Sequence, residues 1–213
     1  MNKKLNQLAK QNKALRVAIV GIGKMGKGLI NQMSRIDGMI PSLVINRNGQ
    51  KGIDALLSAG INRDDIVVSN SIDKINSSLE KGKYVVSEYD DLAAKANDIQ
   101  VVVDATGVPE VGASISLDSI ENKKHIIMLN VEADSVVGPI LYQYAKEAGV
   151  VYTGTAGDEP GAVMELYDFA VGLGFQVLAI GKGKNNPIDL RANPHTVYEK
   201  ALQKGLSPHM LAG

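Results

Sequence analysis

The chain has 213 residues, 45% hydrophobic and 22% charged, a balance that excludes intrinsic disorder and collagen-like order and leaves room for one domain and part of a second. Lys plus Arg number 23 and Asp plus Glu number 23, so no whole-chain field of either sign is available to hold nucleic acid or an anionic membrane surface. Cysteine is absent, which excludes disulfides, thiolate nucleophiles and Cys-ligated zinc and accords with a cytoplasmic, reducing setting.

No apolar run approaches the roughly 18 to 20 residues of a membrane-spanning helix. Residues 1–14 are rich in Lys, Asn and Gln with Leu5 and Leu8 widely spaced, which reads either as a short amphipathic helix or as an arm. From Leu15 onward short apolar, β-branched runs alternate with helical stretches, the pattern of βα units on a buried parallel sheet. Strands are predicted over 16–20, 43–46, 66–69, 84–87, 99–104, 125–130 and 150–153, and helices over 24–36, 52–59, 72–81, 91–96, 110–121 and 136–148. Residues 63–97 hold two short strands and two short helices, more than one crossover requires, which marks an insertion at the sheet edge. The units add up to a doubly wound parallel α/β domain over residues 15–153.

Residues 154–213 differ in texture: a Gly-rich turn, a helix over 160–173, an apolar strand over 175–180, then a polar, Pro-punctuated stretch with little to bury. They read as the beginning of a second, α+β domain. About 60 residues fall short of an ordinary domain of about 100 to 150, so this domain is expected to be incomplete.

The sharpest motif is Gly21-Ile22-Gly23-Lys24-Met25-Gly26. As a bare string it is common, but here it follows a predicted strand and opens a predicted helix. In that context Gly21 serves the tight turn, Gly23 the close approach of backbone to a pyrophosphate, and Gly26 the packing of helix on strand, so the domain is Rossmann-type and Gly21, Gly23, Lys24, Met25 and Gly26 are candidate cofactor residues. An NAD site places Asp or Glu at the end of the second strand, whereas a 2′-phosphate is met by Arg. Here that end reads Ile45-Asn46-Arg47-Asn48, so Arg47 points to NADP(H) over NAD(H).

Ligands of an open parallel sheet lie beyond the carboxyl ends of its strands. Thr106 and Gly107, after the strand ending at Asp104, are therefore expected beside the nicotinamide, and Asn130 at the end of the next strand faces the same crevice. Glu132 serves either as a general base or hydroxyl ligand or as an N-terminal helix acid. Asp158 and Glu159 precede a helix on which Glu165 and Asp168 share a face, a carboxylate set suited either to Mg²⁺ or Mn²⁺ or to a cap and a solvated surface. Lys182 and Lys184, flanked by glycines, suit an anion or a developing alkoxide, the alternative being a charged loop tip. His125 is expected to be structural, and His195, after Pro194 in a loop, is the remaining candidate proton carrier. A dinucleotide sensor without chemistry would need a basic helix for its partner, and none stands out.

The stretches Val20 to Gly26, Val102 to Glu110, Asn130 to Asp134 and Gly157 to Ala170 together resemble the homoserine-dehydrogenase-like NAD(P)-dependent oxidoreductases that often carry a C-terminal SAF domain. Within these the chain looks most like the 1-deoxy-D-xylulose 5-phosphate reductoisomerase-like subgroup. The resemblance implies NADPH-dependent reduction of a small carbonyl compound, a sugar phosphate among the options, with a divalent metal and a homodimeric parent. Homoserine dehydrogenases proper follow the Asn with a Lys where this chain has Val131-Glu132, which separates it from homoserine as substrate. The family also continues well past a stretch like 207–211, so the resemblance implies a chain shortened at its C-terminal side.

Overall fold

The computed structural model describes residues 2–155, 159–181, 189–204 and 207–212, for residues 2, 159, 160 and 210 the backbone alone. The chain divides into two compact units, Met1–Ala162 and Val163–Gly213.

The first unit opens with helix α1 (Asn2–Lys10) and strand β1 (Leu15–Val20), followed by α2 (Lys24–Met33), β2 (Met39–Ile45) and α3 (Gly49–Ser58). A short 3-10 turn, Arg63–Asp65, leads into β3 (Ile66–Val68), α4 (Ile72–Glu80), β4 (Tyr84–Ser87) and α5 (Leu92–Lys95). The remaining elements are β5 (Val101–Asp104), α6 (Pro109–Glu121), β6 (His125–Met128), α7 (Val131–Ala148) and β7 (Tyr152–Gly154). The seven strands among the described residues pair in parallel, in the order β3-β4-β2-β1-β5-β6-β7. The expected doubly wound fold is therefore present, and the segment over 63–97 supplies the two outermost strands on one side.

Period-two alternation distributes the core. Val17 and Ile19 of β1 join Ile30 of α2, Ala55 and Leu56 of α3 and Val86 on one face of the sheet. Ala18 and Val20 join Ile75 and Leu79 of α4, Ile115 of α6 and Leu141 of α7 on the other. With helices on both faces the central strands are apolar throughout, as a buried parallel sheet requires. Leu5 of α1 is buried as well, its backbone lying against Gly38, where a φ of +80° and the Leu5 carbonyl leave no space for a side chain. Residues 2–10 are thus a helix, not an arm.

The structure corrects several predicted limits. β2 begins at Met39, not 43, because Pro41 interrupted the apolar pattern. The proline is accommodated where the register slips, Val17 facing Pro41 and Ala18 facing Leu43, on a stretch that β4 does not reach. α7 begins at Val131, not 136: Asn130 caps it, and Pro139 sits inside the helix. α8 (Glu159–Gly172), which runs from the end of the first unit into the second, matches the predicted helix, but residues 175–180 form no strand, since no ladder partner pairs with them among the described residues, and Leu178 is 88% exposed. The stretch read as having little to bury forms α9 (Tyr198–Lys204) and α10 (Pro208–Ala212), with Ala201 fully buried. No helix among the described residues is long and apolar enough to cross a membrane.

One element of the packing is titratable. The Tyr152 hydroxyl donates to Asp134 at 2.8 Å across the β7–α7 contact. Burial, reinforced by that bond and by the Asp134 charge, raises the phenol well above its ordinary range, and burial raises Tyr84 in the same direction. A phenol raised in the folded state keeps its proton where the unfolded chain has lost it. Stability from this source is therefore complete below about pH 10 and declines as pH rises beyond. Urea melts across that range are expected to show this alkaline loss, and Tyr152→Phe to reduce its slope while costing about 1 kcal/mol at neutral pH. An unchanged slope in Tyr152→Phe would assign the alkaline loss elsewhere.

Candidate functional site

The topological reversal falls between β1 and β5, and the candidate residues of the first unit gather at the carboxyl ends of these strands and their neighbours. Gly21 leaves β1 with φ +95°, and its N–H donates to the Ile45 carbonyl at 2.9 Å. A Cβ at Gly21 would lie 2.6 Å from the Ala105 carbonyl and 2.8 Å from the Thr106 nitrogen, so the glycine loop is seated directly on the turn after β5. A Cβ at Gly26 would collide with the Gly21 carbonyl oxygen. Both glycines are demanded by packing within the chain. Gly23 is different: its backbone is extended (φ −82°, ψ −162°), and no atom lies within 4 Å of where its Cβ would stand. As N-cap of α2 it brings no capping side chain, which leaves first-turn N–H groups to an outside acceptor. A pyrophosphate lying against that bare backbone is what these residues fit. Lys24 and Met25 are exposed on the same turn, Met25 at 61%.

The end of β2 holds a residue that the sequence reading passed over. Asn46 accepts the Ile22 N–H on Oδ1 at 3.0 Å and donates from Nδ2 to the Asn48 carbonyl at 3.0 Å, tying the glycine loop to the β2–α3 turn. Asn48 in turn caps α3 by accepting the Gln50 N–H. Arg47 between them is exposed and forms no ion pair among the described residues. A carboxylate does stand nearby, contributed by β4's far end: Glu88 accepts the Gly49 N–H at 3.3 Å and an Asn70 N–H at 3.4 Å. Sequence spacing held no signal for Glu88, because β4 reaches β2 only through the sheet order.

At the end of β5 the Asp104 side chain is fully buried. Its Oδ1 accepts the Thr106 N–H at 2.9 Å and its Oδ2 accepts from Asn130 Nδ2 at 3.0 Å. Asn130, 1% exposed, also donates to the Val108 carbonyl at 2.9 Å, approaches Thr106 Oγ1 at 3.3 Å, and accepts the Ala133 N–H at 3.2 Å. Its amide is thus committed within the protein. Room for the Asp104–Asn130 contact comes from Gly112 of α6, where a Cβ would strike both side chains. Thr106 is half-buried and Gly107 exposed with φ +68°. Glu132 is exposed in the first turn of α7, two residues from the cap.

Other candidates are not brought to this crevice by any described contact. His125 is structural, its Nδ1 accepting the Val151 N–H at 3.0 Å. His195 is exposed, its own N–H held by Asn193 Oδ1 at 3.0 Å. Glu165 and Asp168 are exposed on α8. Asp158, Lys182 and Lys184 lie outside the described residues, as does the side chain of Glu159. Among the described residues no three His, Asp or Glu side chains converge as a metal site would require.

Residues 21–153 match the family model described as homoserine dehydrogenase, NAD binding domain. The chain belongs to this family. Residues 157–213 match a second model, described as oxidoreductase DRL, catalytic domain. The homoserine dehydrogenase NAD-binding assignment supports a nicotinamide dinucleotide as the cofactor. Among solved structures, a probable dehydrogenase from Thermotoga maritima is similar at TM-score 0.53 and 13% identity, over 75% of this chain and 41% of that one. The WlbA dehydrogenase from Bordetella pertussis, solved with NADH and UDP-GlcNAcA, is similar at TM-score 0.53 and 17% identity, over 76% and 40%. A scyllo-inositol dehydrogenase from Lactobacillus casei gives TM-score 0.51 at 14% identity, over 76% and 42%. These likenesses establish the shared fold, and the chain spans about two fifths of the length of those proteins.

Proposed function

We propose that this chain is the cofactor-binding part of an NADPH-dependent oxidoreductase that reduces a small carbonyl compound, a sugar phosphate being one of the substrates that the sequence resemblance allows. The observation that carries the reading is Gly23: a glycine that no intramolecular contact demands, at the uncapped N-terminus of a helix that follows the first strand. The α2 N–H groups hold the pyrophosphate, the half-buried Thr106 and exposed Gly107 border the nicotinamide, and Arg47 meets the 2′-phosphate. The bound dinucleotide supplies the hydride. Glu132, exposed at the same edge, orients a substrate hydroxyl. Lys182 or Lys184 is the proton donor and Asp158 or Glu159 the hydroxyl or metal ligand, on the chemistry of their sequence alone.

A second reading is favoured by one observation. Glu88 sets a carboxylate beside the first turn of α3, where a 2′-phosphate would meet repulsion and a free ribose an acceptor. On that reading the cofactor is NAD(H). Separate calorimetric titrations with NADPH and NADH at fixed ionic strength decide between them. The expected result is NADPH binding about tenfold or more tighter than NADH. The reverse order would replace NADPH by NADH in the proposal, and failure of both ligands to bind would overturn it.

A further inference from the structure

Asp104 carries a side chain that neither the glycine loop nor the proposed chemistry uses. It is fully buried, no cation pairs with it among the described residues, and both its oxygens act as acceptors. Such a group is costly to bury and persists where its neighbours over-determine it. Here they do. The Thr106 N–H and the Asn130 amide satisfy it, and Asn130 itself is held by the Val108 carbonyl and the Ala133 N–H. Gly112 keeps α6 close enough to shut water out, since any side chain there would strike the pair.

The bonds do more than fill a core. Thr106 and Val108 both belong to the turn between β5 and α6, and Asn130 grips that turn from the β6–α7 corner. Gly107, between the two gripped residues, is left exposed with φ +68°. The turn is fixed from beneath at both shoulders while its tip stays open to the crevice.

We propose that Asp104 and Asn130 form a buried clasp that sets the shape of the 105–108 turn for the nicotinamide half of the dinucleotide. They are positioning residues, acting through the turn without touching the cofactor. The inference rests on the dinucleotide reading above. It places the clasp chiefly on one side of the ligand: Gly21 rests on the Ala105 end of the turn, but the adenosine half is served by elements with bonds of their own, Asn46 to Ile22 and Asn48 to the α3 turn.

That asymmetry supplies the test. NADPH carries both halves, whereas 2′,5′-ADP carries the adenosine half alone. Asp104→Asn preserves shape but sets an amide donor against the Asn130 amide, and Asn130→Ala deletes the clasp. Each variant of the whole chain is to be titrated with both ligands, and its fold checked by thermal melting. The expected result is NADPH weakened about tenfold or more, with 2′,5′-ADP within about twofold of wild type. Equal weakening of both ligands, or of neither, in a folded variant overturns the clasp. If Asn130→Ala does not fold, the near-isosteric Asp104→Asn carries the measurement. If neither folds, the pair holds the fold as a whole, and a role confined to one half of the ligand is refuted. Failure of wild-type protein to bind either ligand would overturn the dinucleotide reading and with it the clasp, an outcome distinct from normal wild-type binding with unselective variants.

Discussion

Gly21→Ala is expected to cost about 3 to 5 kcal/mol, a large part of an ordinary domain's stability, whereas Gly23→Ala two positions later leaves stability within about 0.5 kcal/mol. Two effects add at Gly21. Its φ of +95° is one that L-residues rarely adopt, and a Cβ there would press on the Ala105 carbonyl at 2.6 Å, backbone that cannot swing aside. At Gly23 the backbone is extended and the space around the absent side chain is free, so alanine meets no protein atom. What Gly23→Ala changes is the approach of ligand to the α2 N-terminus, and dinucleotide affinity is expected to fall about tenfold or more. Urea melts and NADPH titrations on both variants check the pair of outcomes. A Gly23→Ala protein with normal affinity would mean that the pyrophosphate lies elsewhere.

Arg47→Asp is expected to weaken NADPH about a hundredfold and NADH no more than about threefold. A charge-assisted contact to a phosphate is worth about 2 to 3 kcal/mol, and the substitution adds a repelling carboxylate beside the one that Glu88 already contributes. Arg47 has no ion-pair partner among the described residues, so its removal releases no buried charge and the fold is expected to stand. The NADPH loss should shrink at high salt, because an exposed pair is screened. Equal losses for the two cofactors would take Arg47 out of the 2′-phosphate site.

Much of the fold was legible because two periodicities are local. The unbroken apolar run of β1 announces a strand buried on both faces, and the glycines that follow announce a turn into a helix, whatever the rest of the chain does. Where the signal failed, a tertiary contact had overridden a local rule. Pro41 reads as a break, yet it lies in a ladder, because the register slips beside it and β4 does not reach it. The helix expected from 136 begins at Val131, because Asn130 caps it there and Pro139 is taken up inside it. Phe175 to Ile180 has the composition of a strand, but a strand exists only with a partner, and none pairs with it among the described residues.

The site divides in the same way. The glycine loop, Arg47 and Thr106 could be named from spacing, since each follows a strand end. Asn130 could be named in the same way, but not its contact with Asp104, whereas Asn46 is an ordinary turn asparagine in the sequence that only the sheet order brings under Ile22. Glu88 comes from an element distant in sequence, and Gly112 meets Asn130 only through the pairing of β5 with β6; no motif reports a contact that the fold alone creates.

The seating of Gly21 on Ala105 has a consequence for how the protein is made. Synthesis delivers the glycine loop early, but β5 emerges only after β2, β3 and β4 have left the ribosome, so the nascent loop has no floor to rest on. Until then β1 has a neighbour on one side only, and an all-parallel sheet offers no hairpin to hold it in the meantime. Cofactor cannot act as an early template for this domain. It can reward only a chain whose translation has passed Thr106, so ligand gives the apolar strands of the first half no protection while they are being made.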